Sequence, residues 1–195
     1  MKRIAGILAF FVMTGIASAQ GLPSQSLARG TWELTPIVGG GTGLGKSDNT
    51  QFIFAGVRVG RVMTKEHLSG WAHGNFELAV DLLPLYEVFS TAGPVYGGGF
   101  RPAVFQWNFT RGQKFAPYIN AAGGILFSTQ NIPPGNTSYV NFTSQGGLGI
   151  RIFSSSHHAL TLEGAAMHLS NASLGRHNPG FNGSILFTLG YSWFK

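Results

Sequence analysis

A histidine and a serine stand two positions apart near the end of the chain, in the segment His168-Leu169-Ser170-Asn171-Ala172. In a β-strand, side chains at positions i and i+2 lie on one side, about 6.6 Å apart. A histidine in that place can take the proton of a serine hydroxyl, which makes the serine a nucleophile toward a carbonyl carbon. The alternative interpretation is a polar pair without chemistry at the end of a strand. Spacing alone leaves both interpretations open.

A second segment, Gly40-Gly41-Thr42-Gly43-Leu44-Gly45-Lys46-Ser47, fits G-x-x-x-x-G-K-[ST], the pattern of phosphate-binding loops. That pattern holds phosphates when a strand precedes it and a helix follows, because the helix N-terminus supplies part of the site. Here Asp48-Asn49-Thr50 leads into a predicted strand instead. We therefore interpret the segment as an outer loop with a chance match, and we expect no nucleotide partner.

The composition indicates which kind of element must position these residues. Of 195 residues, 10% are charged and 29 are glycine, whereas soluble domains have about 25% charged residues and about 7% glycine. Mean hydropathy is +0.13. Disorder is excluded, because it requires high charge and low hydrophobicity, and so many glycines argue against a helical protein. The absence of cysteine excludes disulfides, thiolate metal sites and a cysteine nucleophile.

Residues 1–19 are predicted to be a signal peptide. Lys2 and Arg3 precede an apolar run, and Ala17-Ser18-Ala19 is a cleavage site of the A-x-A type. The apolar run is shorter than the ~18–20 residues that a membrane anchor requires. Residues 20–195 are then a single domain, and loss of Lys2 and Arg3 reduces its net charge from +6 to +4. This modest excess in an exported protein gives no reason to expect a nucleic-acid partner.

The predicted domain has no run of 18 apolar residues, so a membrane-spanning helix is ruled out. Stretches of about ten residues alternate between apolar and polar instead, which is typical of outer-membrane barrels. Eight such stretches predict an all-β fold, an eight-stranded antiparallel transmembrane β-barrel in the bacterial outer membrane. The strands are expected at about 31–39, 50–62, 71–82, 95–109, 117–128, 140–153, 158–171 and 183–194. Pro102 and Pro117 weaken the fourth and fifth.

An even number of strands puts both ends of the barrel domain in the periplasm. All four tryptophans then fall at the periplasmic rim, as an interfacial girdle requires: Trp32, Trp71, Trp107 and Trp193. The seventh strand runs outward, so His168 and Ser170 lie on its lipid side near the outer leaflet, where lipopolysaccharide lies. Thr161 and Glu163 lie on the opposite face. An ionisable residue facing lipid is costly and usually functional.

The polar faces of the predicted strands have a place inside such a barrel. Buried charges need partners, so a network of polar side chains is expected in the lumen: Arg58, His73, Glu77, Asp81 and Arg151. A soluble lipocalin-like barrel is the alternative fold. Its apolar face would point inward, and its outer face should carry more charge than this chain has.

The His-x-Ser-Asn segment, with the predicted barrel, chain length and signal peptide, resembles the PagL-type lipid A 3-O-deacylases. The specific similarity covers about residues 168–182. Members of this family are eight-stranded outer-membrane barrels that hydrolyse the ester-linked acyl chain at the 3-position of lipid A. The resemblance implies that Ser170 is the nucleophile, His168 the general base and Asn171 part of the oxyanion hole. It also implies lipid A, within lipopolysaccharide of the outer leaflet, as the substrate.

Two positions depart from the pattern of that family. A glutamate is expected twelve residues after the serine, where this chain has Asn182. An asparagine can orient a histidine through its side-chain oxygen, but it brings no negative charge. Parity along the last strand puts Asn182 on the lumen side, and Glu163 is a poor substitute because it also faces the lumen. Ser173 stands where a glycine is common.

The last outer loop carries Arg176 and His177, which suit the phosphates of lipid A or are simply solvated. No carboxylate pair or metal-ligand spacing stands out, so we expect neither a metal nor another cofactor. The sequence therefore predicts an outer-membrane serine esterase that acts on lipid A. Two alternatives are a non-catalytic small barrel with a structural or adhesive role, and an outer-membrane phospholipase.

Overall fold

The computed structural model describes residues 23–45, 50–134, 137–174 and 182–195. Most of them belong to eight strands: β1 (Trp32–Gly43), β2 (Gln51–Val62), β3 (Gly74–Ser90), β4 (Gly93–Phe109), β5 (Phe115–Ile132), β6 (Ser138–Ser155), β7 (His158–Ser170) and β8 (Asn182–Phe194). A helical turn, α1 (Pro23–Ser26), precedes β1, and a 3-10 turn (Gly70–Ala72) precedes β3. No helix in these ranges is long and apolar enough to cross a membrane. The predicted signal peptide, 1–19, lies outside the described residues.

The strands form a closed antiparallel barrel in which each strand pairs with the next and β8 pairs with β1. This confirms the predicted fold. Closure pairs the backbone groups of every strand, which an open sheet could not do in hydrocarbon. In β3, Asn75, Glu77 and Asp81 are buried, whereas Val80 and Leu82 point outward. In this part of the barrel polar side chains face inward and apolar ones outward, which is the reverse of a lipocalin-like arrangement.

Five strands, β1 and β3 to β6, extend at least two residues beyond the bounds that the sequence predicts. The strands β3 to β6 have 17 or 18 residues, whereas the other four have 12 or 13. Much of the predicted connection 83–94 and of the predicted loop 129–139 is therefore strand. Pro84 and Pro102 lie within strands at shifts of the β-ladder register. Such shifts accommodate a residue that has no N–H group for the ladder.

Arg151 is the centre of a buried cluster near the barrel end at which β1 begins and β8 ends. Its Nη1 donates to Glu77 Oε2 at 3.0 Å, and its Nη2 donates to Glu33. The hydroxyls of Thr35 and Ser192 each donate to Glu33 Oε1 at 2.7 Å. A buried charge of this kind is stable only when it is paired and its remaining polar atoms are bonded.

Asp81 joins two further arginines in the same half of the lumen. It accepts hydrogen bonds from Arg58 Nε at 2.8 Å and from Arg101 Nη1 at 2.9 Å. The Nη1 of Arg58 also lies 3.4 Å from Glu163 Oε2. The expected network of Arg58, Glu77, Asp81 and Arg151 is thus confirmed, and Arg101 and Glu163 belong to it as well.

The prediction that His73 belongs to that network is wrong. It is half-buried outside the lumen, because β3 begins only at Gly74. Its Nδ1 lies 3.3 Å from Thr110 Oγ1, and its Nε2 lies 3.8 Å from Glu66. The imidazole therefore joins two connections at the end of the barrel.

The other half of the lumen is filled by apolar side chains. Thirteen buried residues form this cluster: Ile37, Phe52, Phe54, Leu83, Tyr86, Val88, Val95, Leu126, Ile132, Ala165, Met167, Leu169 and Leu186. A smaller apolar cluster at the opposite end includes Leu27, next to α1, with Phe153 and Phe194. The segment before β1 thereby covers that end of the lumen.

The end at which β1 begins and β8 ends is here named the periplasmic end, after the orientation that the sequence predicts; the opposite end is the outer end. All four tryptophans lie at the periplasmic end, as expected. Trp32 begins β1, Trp193 is near the end of β8, and Trp71 lies in the 3-10 turn. Trp107 Nε1 donates to the carbonyl of Ala72 at 3.2 Å.

Candidate functional site

The outer face of β7 carries the histidine and the serine together. Along this strand the inward positions from Ala159 to Leu169 are buried, and the outward ones alternate with them. His168 and Ser170 are both outward and partly exposed, in the last three residues of the strand at the outer end of the barrel. The predicted juxtaposition on one face of a strand is therefore present.

The residues paired with β7 leave space around His168. Ser144 of β6 and Gly183 of β8 are its two cross-strand neighbours. Directly paired residues of an antiparallel sheet project from the same face, and Gly183 has no side chain to place there. Phe142 of β6 is paired with Ser170 and bounds the site on one side.

A tight turn follows Ser170 and brings a backbone donor to its hydroxyl. The N–H of Ala172 lies 3.2 Å from Ser170 Oγ. Asn171 is buried; its Oδ1 accepts a hydrogen bond from the Ser173 N–H at 3.0 Å, and its carbonyl accepts one from the Leu174 N–H at 2.9 Å. The side chain of Asn171 thus holds the turn, and the Ala172 amide is directed at the serine.

Two successive residues of this turn have a left-handed backbone. Ala172 has φ +48° and Ser173 has φ +64°. Residues with a Cβ atom adopt this region at a cost, whereas glycine does not. The glycine that is common at the position of Ser173 in the PagL-type pattern therefore suits the geometry here. The Ser173 N–H is already engaged by Asn171.

Neither Asn182 nor Glu163 lies beside the histidine by backbone register. Asn182 pairs with Leu169, which faces the lumen, and it is Gly183 that pairs with His168. Glu163 is buried on the lumen face, where its Oε2 accepts hydrogen bonds from Tyr118 Oη at 3.0 Å and Asn120 Nδ2 at 2.8 Å. Glu163 therefore faces the lumen, as the sequence predicts, and its hydrogen bonds make it part of the lumen network.

A depression in the outer wall begins two residues from His168 toward the middle of the barrel. Its lining includes the small residues Gly146, Gly164 and Ala166 and the larger apolar residues Leu148 and Ile185. Its volume is about 510 Å³. It continues along the strands into a second open depression that shares Leu148 and Gly164. Small and large apolar residues together thus line a shallow groove on the lipid side of the barrel.

Three sequence predictions concern the remaining motifs. Arg176 and His177 lie outside the described residues. The glycines of the phosphate-loop match up to Gly43 lie within β1, and β2 begins at Gln51. The structure therefore places the start of this match in a sheet rather than in a loop before a helix. Within the described ranges, no group of three or more His, Cys, Asp or Glu residues could hold a metal ion.

Comparison with known families gives this geometry a context. The sequence profile of the family described as "Lipid A 3-O-deacylase (PagL)" matches residues 55–192, which is most of the chain and includes the whole of β7. The chain belongs to the PagL family. The matched residues include its His-x-Ser-Asn segment, so the family that the sequence resembles is the family to which the chain belongs. No curated protein matches the chain.

Solved structures agree with the fold. The crystal structure of the outer membrane enzyme PagL matches with a TM-score of 0.55 and 19% identity, over 82% of this chain and 97% of that one. The N-terminal β-barrel domain of Pseudomonas aeruginosa OprF matches with a TM-score of 0.57 and 14% identity, over 86% and 98%. Identities this low show the fold alone, so these structures assign no residue roles at the site.

Two features of the site were missed by sequence reasoning. The Ala172 amide was not assigned a role, because its direction depends on the left-handed turn. The depression below His168 was also missed, although small residues occur at 146–147 and 164–166 in the sequence. Two such runs on neighbouring strands were the available signal, but only the register shows that they lie side by side.

Proposed function

We propose that this protein is an outer-membrane enzyme that hydrolyses the ester-linked acyl chain at the 3-position of lipid A. The proposed nucleophile is Ser170 and the proposed general base is His168. The observation that supports this most strongly is their common outward face on β7, at the outer end of a barrel of the PagL family. This face lies against the outer leaflet, so a lipid of that leaflet can reach it directly, whereas an ester dissolved in water cannot.

In the proposed mechanism, Ser170 Oγ attacks the carbonyl carbon of the ester while His168 takes the hydroxyl proton. The carbonyl oxygen becomes an oxyanion, for which backbone N–H groups are the usual donors. The backbone N–H of Asn171 was expected in this role, and the Ala172 N–H near Ser170 Oγ suits it as well. His168 then protonates the leaving 3-oxygen of the sugar. Water, deprotonated by His168, hydrolyses the acyl-serine and releases the fatty acid.

The depression next to His168 supports lateral entry of the substrate. An acyl chain in the membrane can lie along Gly146, Gly164 and Ala166 with its ester near Ser170, so that no passage through the lumen is needed. Apolar side chains of the wall would hold that chain by burial of its surface. Arg176 and His177 are proposed to contact the phosphates of lipid A from the connection between β7 and β8.

Asn182 is proposed to orient His168 as an uncharged third member. Its register opposite Leu169 means that this role requires the side chain to reach around the end of β7. An asparagine can fix the tautomer of an imidazole but cannot stabilise its positive charge as a carboxylate does. We therefore expect a slow enzyme by comparison with a Ser-His-acid triad.

The deciding experiment measures the mass of lipid A from Gram-negative cells that express this protein. The wild type should remove one 3-linked hydroxyacyl chain, and Ser170→Ala should abolish this loss. Ser154→Ala, at an exposed serine of the periplasmic end, is the matched control and should leave the deacylation intact. Folding of each variant is checked by the faster gel mobility of an unheated barrel.

Other results would favour the alternatives. Unchanged lipid A, with fatty acid released from phospholipid in a Ser170-dependent way, would indicate a phospholipase. Unchanged lipid A and unchanged phospholipid from a folded wild-type barrel would indicate a non-catalytic barrel with a structural or adhesive role.

A further inference from the structure

Among the described residues, exposed basic side chains are concentrated at the periplasmic end of the barrel. The six are Arg29, Arg61, Lys65, Arg111, Lys114 and Lys195, and together they are named the basic rim. They lie before β1, at the end of β2, in the connections β2–β3 and β4–β5, and after β8. The described residues that connect strands at the outer end include no lysine or arginine.

Carboxylates do not neutralise the basic rim. Glu33, Glu77, Asp81 and Glu163 are buried in the lumen. Glu66 is the acidic residue among the described connections of the periplasmic end, and it lies 3.8 Å from His73 Nε2. In the described part of the chain, no member of the basic rim forms a salt bridge. The rim therefore presents an unbalanced positive charge to its surroundings.

Aromatic side chains fix the depth at which this charge lies. Trp32, Trp71, Phe115 and Trp193 are at the same end and are 51%, 84%, 50% and 40% exposed. Exposed tryptophans mark the level of lipid headgroups. The guanidinium of Arg61 lies over the Trp32 ring, 5.2 Å from its centroid, so this charge is held at that level.

We propose that the basic rim binds the phosphate groups of anionic glycerophospholipids in the periplasmic leaflet. Clusters of lysine and arginine next to a membrane-embedded surface attract anionic headgroups, and an arginine beside a ring can bond a phosphate at two oxygens. The rim faces the leaflet opposite to the one that His168 and Ser170 face. This binding is therefore separate from the proposed hydrolysis of lipid A, and either can hold without the other.

The test uses the full-length barrel in detergent with an equimolar mixture of phosphatidylglycerol and phosphatidylethanolamine that have identical acyl chains. Native mass spectrometry counts the lipids retained. We expect the wild type to retain phosphatidylglycerol about threefold or more in excess. The combined variant Arg61→Gln, Lys65→Gln, Arg111→Gln and Lys114→Gln should retain both lipids nearly equally. The gel mobility of the unheated protein verifies that this variant is folded.

Two single substitutions sharpen the test. Glu66→Gln removes the negative charge at the rim and should raise the preference for phosphatidylglycerol. Glu87→Gln makes the same chemical change in β3 toward the outer end, and should leave the preference unchanged. Equal retention of the two lipids by the wild type would overturn the proposal. An unchanged preference in the folded combined variant would also overturn it. Loss of the preference in inorganic phosphate, but not in sodium chloride of the same ionic strength, would overturn it as well, because it would indicate a free-anion site.

Discussion

The two faces of β7 differ in composition and in their contacts. The inner face carries Glu163, which is bonded to Tyr118 and Asn120, and further along the strand Met167 within the apolar cluster. The outer face carries small residues and then His168 and Ser170. Groups that hold the barrel together and groups proposed to act on substrate thus alternate along one strand. Because parity separates them, a change on one face should leave the property of the other face intact.

Glu163→Ala should disrupt the hydrogen-bonded network on the inner face of β7. Its effect on the free energy of unfolding should be the largest of those considered. The substitution leaves the Tyr118 hydroxyl and the Asn120 amide without their acceptor and removes one partner of Arg58. Loss of one partner from a buried charged network costs about 3–5 kcal/mol. Denaturant unfolding in detergent should show that loss, while the rate of lipid A deacylation per folded barrel stays within about twofold.

A matched substitution on the outer face gives the reverse result. Ser170→Ala should leave the unfolding midpoint unchanged and abolish deacylation. If Glu163→Ala abolished deacylation in a barrel that remained folded, the separation of the two faces would be wrong and Glu163 would act in the site.

Asn182→Glu should raise the activity of the proposed site on the outer face of β7. A carboxylate that reaches His168 stabilises the imidazolium, and in serine proteases the reverse change, Asp→Asn, costs about 10⁴ in rate. Because residue 182 pairs with Leu169 rather than with His168, we expect only part of that factor, a gain of about tenfold or more in deacylation rate. The measurement is the initial rate with purified lipopolysaccharide in detergent. Asn182→Ala should lower the rate, and equal rates for all three proteins would exclude an orienting role.

The alternation of side chains explains how much was predictable. All eight strands were anticipated, because the two-residue period of apolar and polar side chains is visible in the sequence. The same parity correctly placed His168 and Ser170 on the outer face and Glu163 on the inner one. These are local properties of a strand, which a sequence contains directly.

Other properties depend on contacts between strands and were not predictable. The sequence did not predict the extension of β3 beyond residue 82, where Pro84 lies at a register shift with β4. His73 has the parity of a lumen residue, but its strand begins one residue later. The depression at Gly146 and Ala166 exists because these two residues are paired, and no local pattern specifies that register.

Ala166→Leu should fill the depression without disturbing the fold, since a leucine on the lipid face suits the membrane. If an acyl chain lies there during the reaction, displacing a few of its methylenes costs about 1–3 kcal/mol of binding. We expect kcat/KM to fall about tenfold for lipid A with long 3-linked chains, and less for short ones. Val80→Leu, on the lipid face of β3, is the control and should have no effect. Equal activity of both variants would place the acyl chain elsewhere.

Ser173→Gly should have the smallest effect and tests the turn that holds Ser170. At φ +64° the serine Cβ is unfavourable, so glycine should raise the free energy of unfolding by about 0.5–1 kcal/mol. Thr129→Gly, in the extended backbone of β5, should instead destabilise the barrel by a similar amount. Deacylation should change less than about twofold, because the Ser173 N–H that bonds to Asn171 Oδ1 is retained. A marked loss of activity in a stabilised barrel would show that the Ser173 side chain itself contacts the substrate, and the outer face would then extend beyond β7 into the turn.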